Sequence, residues 1–381
     1  MAKLNKKQII IISIISVLII AAIVVAIVVS SGNSEPAISD STGETTKVSE
    51  TEKKPDNKDE DKDTQKKEEE NKPTEFLMIN PLTGEEATEE TYKKRPAAFM
   101  VSNIKEALPQ HGVSKADVLY ECLVEGGITR LLMLIHDYES INILGSIRSS
   151  RDYYLDLVQN HDAFYFHWGW SDQARKEIPE RGIDNFNATN MYRDSWRKNT
   201  LGELHAGVIT GEGALKAIQD SNKRTELKED FEYPFNFAKE VTVPNGEIAN
   251  CVYLPFSGYQ APYLKYDETT NTYKRWQFGK AHIDKDTNTQ LEFTNIIVLF
   301  CPHTGVLDAS KHIDITTTGT GEGYYISNGK CINIQYTKET VDSQMHLFNT
   351  DGTPLEINVG KSYIAIMKPE LKADVNLNYN K

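Results

Sequence analysis

Val118-Leu119-Tyr120-Glu121-Cys122-Leu123-Val124-Glu125-Gly126-Gly127-Ile128-Thr129-Arg130-Leu131-Leu132-Met133-Leu134-Ile135-His136 is the stretch on which the fold turns. Up to Glu125 it has the period of a strand. Val118, Tyr120, Cys122 and Val124 share one face, and Leu119, Glu121, Leu123 and Glu125 share the other. Gly126-Gly127 is a tight-turn signal, and Thr129 to His136 reads as the returning strand. The apolar density from Ala116 to Val124 would also suit a helix. A glycine pair followed by a β-like run favours the hairpin instead.

Working outward, Ala97 to Val101 is a short strand candidate. Ser149 or Ser150 is placed to cap a helix running to about Asn160, with Asp152 in its first turn and Tyr154, Leu155 and Val158 as an apolar stripe. Ala163 to Trp168 reads as a strand, Ser171 opens a second helix stopped by Pro179, and Thr210 caps a third through Ile218. Strands alternating with helices predict an α/β layered domain over 75–240. Beyond Phe237 the pattern changes to short β-runs, among them Ala249–Pro255, Tyr273–Phe278, Ile296–Phe300, Cys331–Tyr336 and Tyr363–Met367. Asn328-Gly329 and Asp351-Gly352 are turn signals, because Asn or Asp followed by Gly tolerates positive φ. Gly319-x-Gly321-x-Gly323 reads as a further turn. No helix is expected here. The predicted class is α/β (α+β), with a β-rich antiparallel half over 241–381, either a domain or one lobe of a shared fold.

Ahead of these lies a different kind of sequence. Ile9 to Val29 carries no charged side chain, and this 21-residue run would span about 31 Å as a helix, close to the hydrocarbon thickness of a bilayer. Lys3, Lys6 and Lys7 precede it and no basic residue follows until Lys47, so the N-terminus (1–29) is expected to anchor the chain from the cytoplasmic side. A cleaved signal peptide with Ser30, Ser31 and Gly32 at its end is the alternative. The segment 30–74 is rich in Lys, Glu and Asp and lacks aromatic residues, the composition of a disordered linker. The address that follows is the cell membrane, single-pass, with the ectodomain outside.

Lys+Arg number 42 against Asp+Glu 55, a net charge of −13 that excludes nucleic acid or an anionic lipid surface as the bulk partner. The four cysteines, Cys122, Cys251, Cys301 and Cys331, match no zinc spacing. Buried free thiols are the expectation; if any pair forms, Cys301 with Cys331 is favoured, both lying in or beside β-runs. No cysteine directly follows the apolar run, which excludes lipoprotein processing there.

The chain has no G-x-S-x-G elbow, H-E-x-x-H, Walker A or dinucleotide glycine fingerprint. Two constellations carry chemistry. In the first, Glu121 and Glu125 share a strand face, Arg130 follows the turn, and Arg148 and Arg151 flank the start of a helix. Guanidinium forks beside helix N–H groups suit a carboxylate or phosphate, and a purely structural Glu–Arg network is the competing reading. Arg148 and Arg151 are expected to face a common cleft bordered by Glu125, Arg130 and His167. In the second, His167-Trp168-Gly169-Trp170-Ser171 falls where a strand ends and a helix begins. His167 is a candidate base, while Trp168 and Ser171 are candidate ligand contacts, against a tryptophan-lined core with one satisfied histidine. Cys301-Pro302-His303 offers too few ligands for a metal. No cofactor and no metal are expected.

The run Glu125 to Arg130, the run Gly145-Ser146-Ile147-Arg148-Ser149-Ser150-Arg151, the upstream Ser114 to Glu121, and the C-terminal Asn328-Gly329-Lys330, Asp351-Gly352 and Gly360-Lys361 resemble the YerB-like family of bacterial envelope lipoproteins. The resemblance covers Asn80 to Lys368 and implies envelope placement and a two-part α/β fold, but no reaction, since the family is one of unknown function. Its members usually carry a lipobox cysteine, for which this chain offers an apolar helix, and often tryptophan where Tyr336 and Tyr363 stand here. The functional expectation is an ectodomain binding an anionic or sugar-containing wall ligand. The alternatives are an envelope hydrolase or transferase using Glu121, Glu125 and His167, and a scaffold for an envelope protein partner.

Overall fold

The computed structural model describes residues 78–188 and 207–380. The expected anchor, Ile9 to Val29, and the linker 30–74 lie outside them. Among the described residues, no helix is long and apolar enough to cross a membrane.

The first three strands are β1 (Ala97–Ser102), β2 (Val118–Leu123) and β3 (Thr129–Ile135). β2 and β3 form the predicted hairpin, with Val118 opposite Leu134 and Leu123 opposite Thr129. Gly126 and Gly127 have φ of 71° and 75°, a left-handed pair that other residues adopt only with strain. Val124 N–H donates to Ile128 O at 2.9 Å and closes the turn. Every residue of the three strands is buried, which requires a sheet covered on both faces.

The chain then adds β4 (Phe164–His167), β5 (Asn185–Asn187), β6 (Cys251–Tyr253), β7 (Tyr263–Asp267), β8 (Thr272–Gln277), β9 (Lys280–Ala281) and β10 (Glu292–Phe293). After these come β11 (Asn295–Phe300), β12 (Gly319–Ser327), β13 (Lys330–Lys338), β14 (His346–Asn349) and β15 (Ser362–Met367). The main sheet has the order β14-β13-β12-β11-β15-β2-β3-β1-β4-β5, with Glu247–Ile248 alongside β13. Strands β6 to β10 make a smaller sheet. The halves 75–240 and 241–381 therefore share one sheet, joined where β15 pairs in parallel with β2. β11 and β15 are also parallel, so the second half is not purely antiparallel as expected. Its β-runs and the Asn328-Gly329 turn between β12 and β13 lie where the sequence placed them.

Helix α1 (Asp152–Gln159) and helix α2 (Asp172–Glu180) cover one face of the sheet, burying Tyr154, Leu155, Val158 and Ile178 with Tyr120 and Cys122. Helix α3 (Gly211–Asp220) and the smaller sheet cover the other, burying Ala214, Ile218, Leu264 and Tyr273 with Leu119 and Leu123. Two caps are as predicted: Ser171 accepts from Ala174 N–H at 3.2 Å and Thr210 from Gly213 N–H at 3.0 Å. The cap of α1 is Arg151, without a side-chain bond, rather than Ser149 or Ser150. Pro179 sits inside the last turn of α2, which ends one residue later.

All four cysteines are free and buried. Cys301 and Cys331 cannot pair, because they pack into the cores on opposite faces of the sheet. The Gly319 to Gly323 segment is the start of β12, not a turn. A Cβ at Gly321 would lie 2.4 Å from the Tyr336 ring, so glycine is needed there for packing.

Candidate functional site

β1 and β2 both run antiparallel to β3 and hence parallel to each other, and β4 is parallel to β1. Their carboxyl ends, Ser102, Leu123 and His167, point to one edge of the sheet, the usual place for ligands in such folds. The segment Arg148–Ser150 is threaded between β1 and β4 at this edge. Arg148 N–H donates to Met100 O at 2.8 Å, and Trp168 N–H donates to Arg148 O at 2.9 Å.

Glu121 and Glu125 part company here. Glu121 is buried on the face toward the smaller sheet and pairs with Arg275 of β8 at 2.6 Å. It also accepts from Tyr363 Oη at 2.6 Å, Thr129 Oγ1 at 2.7 Å, Asn103 Nδ2 at 2.9 Å and Gln260 Nε2 at 3.1 Å. Burial works against the charge of Arg275, but Glu121 outweighs it and the guanidinium is stabilised. His282, packed beside it, is held well below the usual histidine range by burial and then by Arg275.

Glu125 lies past the end of β2, in the turn. Arg151 clamps it with two bonds, Nε to Oε2 at 3.0 Å and Nη2 to Oε1 at 2.5 Å, and Arg130 Nη2 reaches Oε1 at 3.0 Å. Burial raises the Glu125 carboxyl, yet the two arginines overcome it and hold it below the normal range. Arg130 is lowered by burial and then by Arg151; Arg148 is lowered by burial and then by Arg130. Thus Arg130 and Arg151 share one carboxylate, and a third cation, Arg148, stands near enough to feel Arg130. Arg130 and Arg148 line a cleft of about 130 Å³ with Ser102, Ile104, Ile128 and Ser149, and Thr129 joins that lining to Glu121.

His167 is not part of this cleft. Its ring is buried, with Nδ1 2.8 Å from Gly169 O and Nε2 3.3 Å from Asn185 Oδ1, and it stacks on Tyr165. Burial holds it neutral by lowering its pKa against these bonds. A neutral ring satisfies both contacts when Nδ1 carries the proton and the Asn185 amide turns its NH₂ to Nε2. Trp168 packs over Gly207 toward the α3 side, and Trp170 packs on the α1 side. Ser171 is occupied as the cap of α2. Arg130 is the link: it lines the cleft with Arg148 and shares Glu125 with Arg151, whereas Arg151 and Glu125 are outside the cleft lining. The expected common cleft of Arg148 and Arg151 is therefore not formed, and His167, Trp168 and Ser171 are set apart as well.

The sequence reading overlooked Arg275, although the alternation Tyr273, Arg275, Gln277 places it on the buried face of β8. It also overlooked Tyr259 and Gln260, in the loop that reaches across to Gly127. Two larger grooves, about 1210 and 1290 Å³, lie along β13 and its neighbours and include none of the expected site residues. Among the described residues, no group of three or more His, Cys, Asp or Glu side chains could hold a metal ion.

Two family models match in tandem: the N-terminal domain of the protein of unknown function DUF3048 over residues 82–224, and its C-terminal domain over residues 252–364. The chain belongs to the DUF3048 family. The matched segments contain the arginine cleft and the Arg275 and Tyr363 partners of Glu121, so the network joins both DUF3048 segments. The chain is 28% identical over 297 residues to "Putative lipoprotein YerB" of Bacillus subtilis (strain 168), covering 77% of this chain and 87% of that one. It is similar to the crystal structure of the YerB protein from Bacillus subtilis, with a TM-score of 0.70 and 25% identity over 79% of this chain and 99% of that one.

Proposed function

We propose that this protein is a membrane-tethered envelope component whose ectodomain holds an anionic group, the phosphate or carboxylate of an envelope polymer, in the arginine cleft. The observation that carries this reading is electrostatic. Arg130 and Arg151 share the single carboxylate of Glu125, and Arg148 adds a third guanidinium beside the same cleft. Each of Arg130 and Arg148 is destabilised by burial and by a like-charged neighbour. A bound anion would relieve that repulsion through charge-assisted bonds. The envelope placement draws on the apolar run Ile9 to Val29 and on the lipoprotein name of the Bacillus subtilis relative. The first cysteine of this chain is Cys122, buried in β2, so the apolar run is the tether in this reading.

Calorimetric titration of the full chain in detergent micelles with inorganic phosphate and with lactate tests the proposal. Binding of at least one of them, weakened about tenfold or more by Arg148→Ala and only partly restored by Arg148→Lys, is expected. Equal affinity in wild type and Arg148→Ala, or no binding of either anion, would end it.

A further inference from the structure

A cleft of about 130 Å³ has room for one phosphate or carboxylate group and little more. Whatever bears that group must therefore rest outside the cleft, beside lining residues that include Ile104 and Ile128. The loop from Phe256 to Gln260 borders these residues, fixed at three points. Ser257 Oγ donates to Gly127 O, next to Ile128. Lys105 N–H, next to Ile104, donates to Tyr259 Oη at 3.2 Å. Gln260 reaches inward to Glu121, which Thr129 links to the cleft lining.

Tyr259 is thus anchored through its hydroxyl and yet 42% exposed. It meets Phe278 edge-on, with ring centroids 5.3 Å apart and planes at 65°. Phe278 and Gly279, with φ of 50° and 71°, are the two-residue turn between β8 and β9, where Gln277 pairs with Lys280 and the turn itself requires positive φ. The turn thus sets an aromatic side chain against the exposed Tyr259, whose hydroxyl is bonded next to the cleft lining.

We propose that the ligand is a sugar whose anionic substituent enters the cleft while its ring lies against Tyr259; this rests on the anion-binding reading above. A sugar ring offers a C–H face to an aromatic ring and hydroxyl groups to the polar surroundings, which here include the Ser257 and Lys105 backbone. The fixed Tyr259 hydroxyl means that the ring is already oriented before the ligand arrives, so little rotamer freedom is lost on binding.

Titrations of the full chain in detergent micelles with inorganic phosphate, α-D-glucose 1-phosphate and adenosine 5′-monophosphate separate the possibilities. Glucose 1-phosphate is expected to bind about three- to tenfold more tightly than phosphate. Tyr259→Ala should remove that advantage and leave phosphate affinity unchanged, whereas Tyr259→Phe should keep most of it. Equal affinity for glucose 1-phosphate and phosphate, or no effect of Tyr259→Ala on their difference, overturns the inference while leaving the anion site standing. Tighter binding of the nucleotide than of the sugar phosphate overturns the assignment to a sugar. Absence of phosphate binding overturns the anion reading itself.

Discussion

Replacing Arg275 by methionine would remove the positive partner of a buried carboxylate without changing the bulk of the side chain greatly. Glu121 would keep four neutral donors, from Asn103, Thr129, Gln260 and Tyr363, but lose the guanidinium 2.6 Å away. Breaking one side of a buried ion pair costs about 3–5 kcal/mol, and the remaining donors place this case near the lower end. Glu121→Gln alone strands the Arg275 charge and should cost a similar amount. Combining the two removes both charges. The amide oxygen can retain the bonds that Oε1 receives from Asn103, Thr129 and Gln260, while the Tyr363 hydroxyl switches from donor to acceptor. The double variant should therefore lose only about 1–2 kcal/mol, less than either single change. Urea unfolding of the four proteins measures the cycle. A cost below about 1 kcal/mol for Arg275→Met, or additivity within about 0.5 kcal/mol, would refute the claim that this pair fastens the smaller sheet to the main one.

Burial, and then the carboxylates of Asp314 and Glu177, raise Asp152 from 3.8 to about 7. A carboxyl raised by folding contributes fully below its unfolded value and loses that contribution as pH rises through its folded value. Asp152→Asn should accordingly raise the melting temperature relative to wild type more at about pH 8 than at about pH 4; an equal difference at both would contradict the shift. The membrane topology is tested by protease added to intact cells, which should degrade the ectodomain and leave a small protected N-terminal fragment. A protected ectodomain would overturn the external address, and a mature N-terminus near Ser31 would show cleavage in place of a tether.

Local pattern was enough to read most elements. The period of two through Val118–Glu125, the glycine pair, and the Ser171 and Thr210 caps all act over a few residues, and the structure keeps them. Partnership between distant segments was not legible. Nothing near Ser362 announces that β15 lies beside β2, and that pairing turns two apparent halves into one sheet. The same distance effect divides Glu121 from Glu125. Even spacing put them on one face, but the strand ends at Leu123, and what each carboxylate meets is decided elsewhere: by Arg275, 154 residues on, and by Arg151, 26 residues on. The glycines of β12 misled for a related reason. Gly321 meets the Tyr336 ring and Gly323 the Val298 carbonyl, on the two neighbouring strands, which a local reading cannot see.

The arrangement of the titratable groups bears on whether this edge of the sheet binds or turns over a ligand. A general base must reach a substrate proton and change its protonation state at modest cost. Glu121 is fully buried among five donors and His167 has both ring nitrogens engaged, so neither offers an accessible lone pair at the cleft. Glu125 is accessible, but two arginines hold it ionised and hydrogen-bonded, which lowers its basicity. What these groups do instead is position cations. Glu125 fixes Arg130 and Arg151, while Ser149 and Ser150 carbonyls accept from their second prongs at 2.6 and 2.7 Å. Guanidiniums locked in this way would lose little freedom on meeting an anion, which is what the proposed binding role requires.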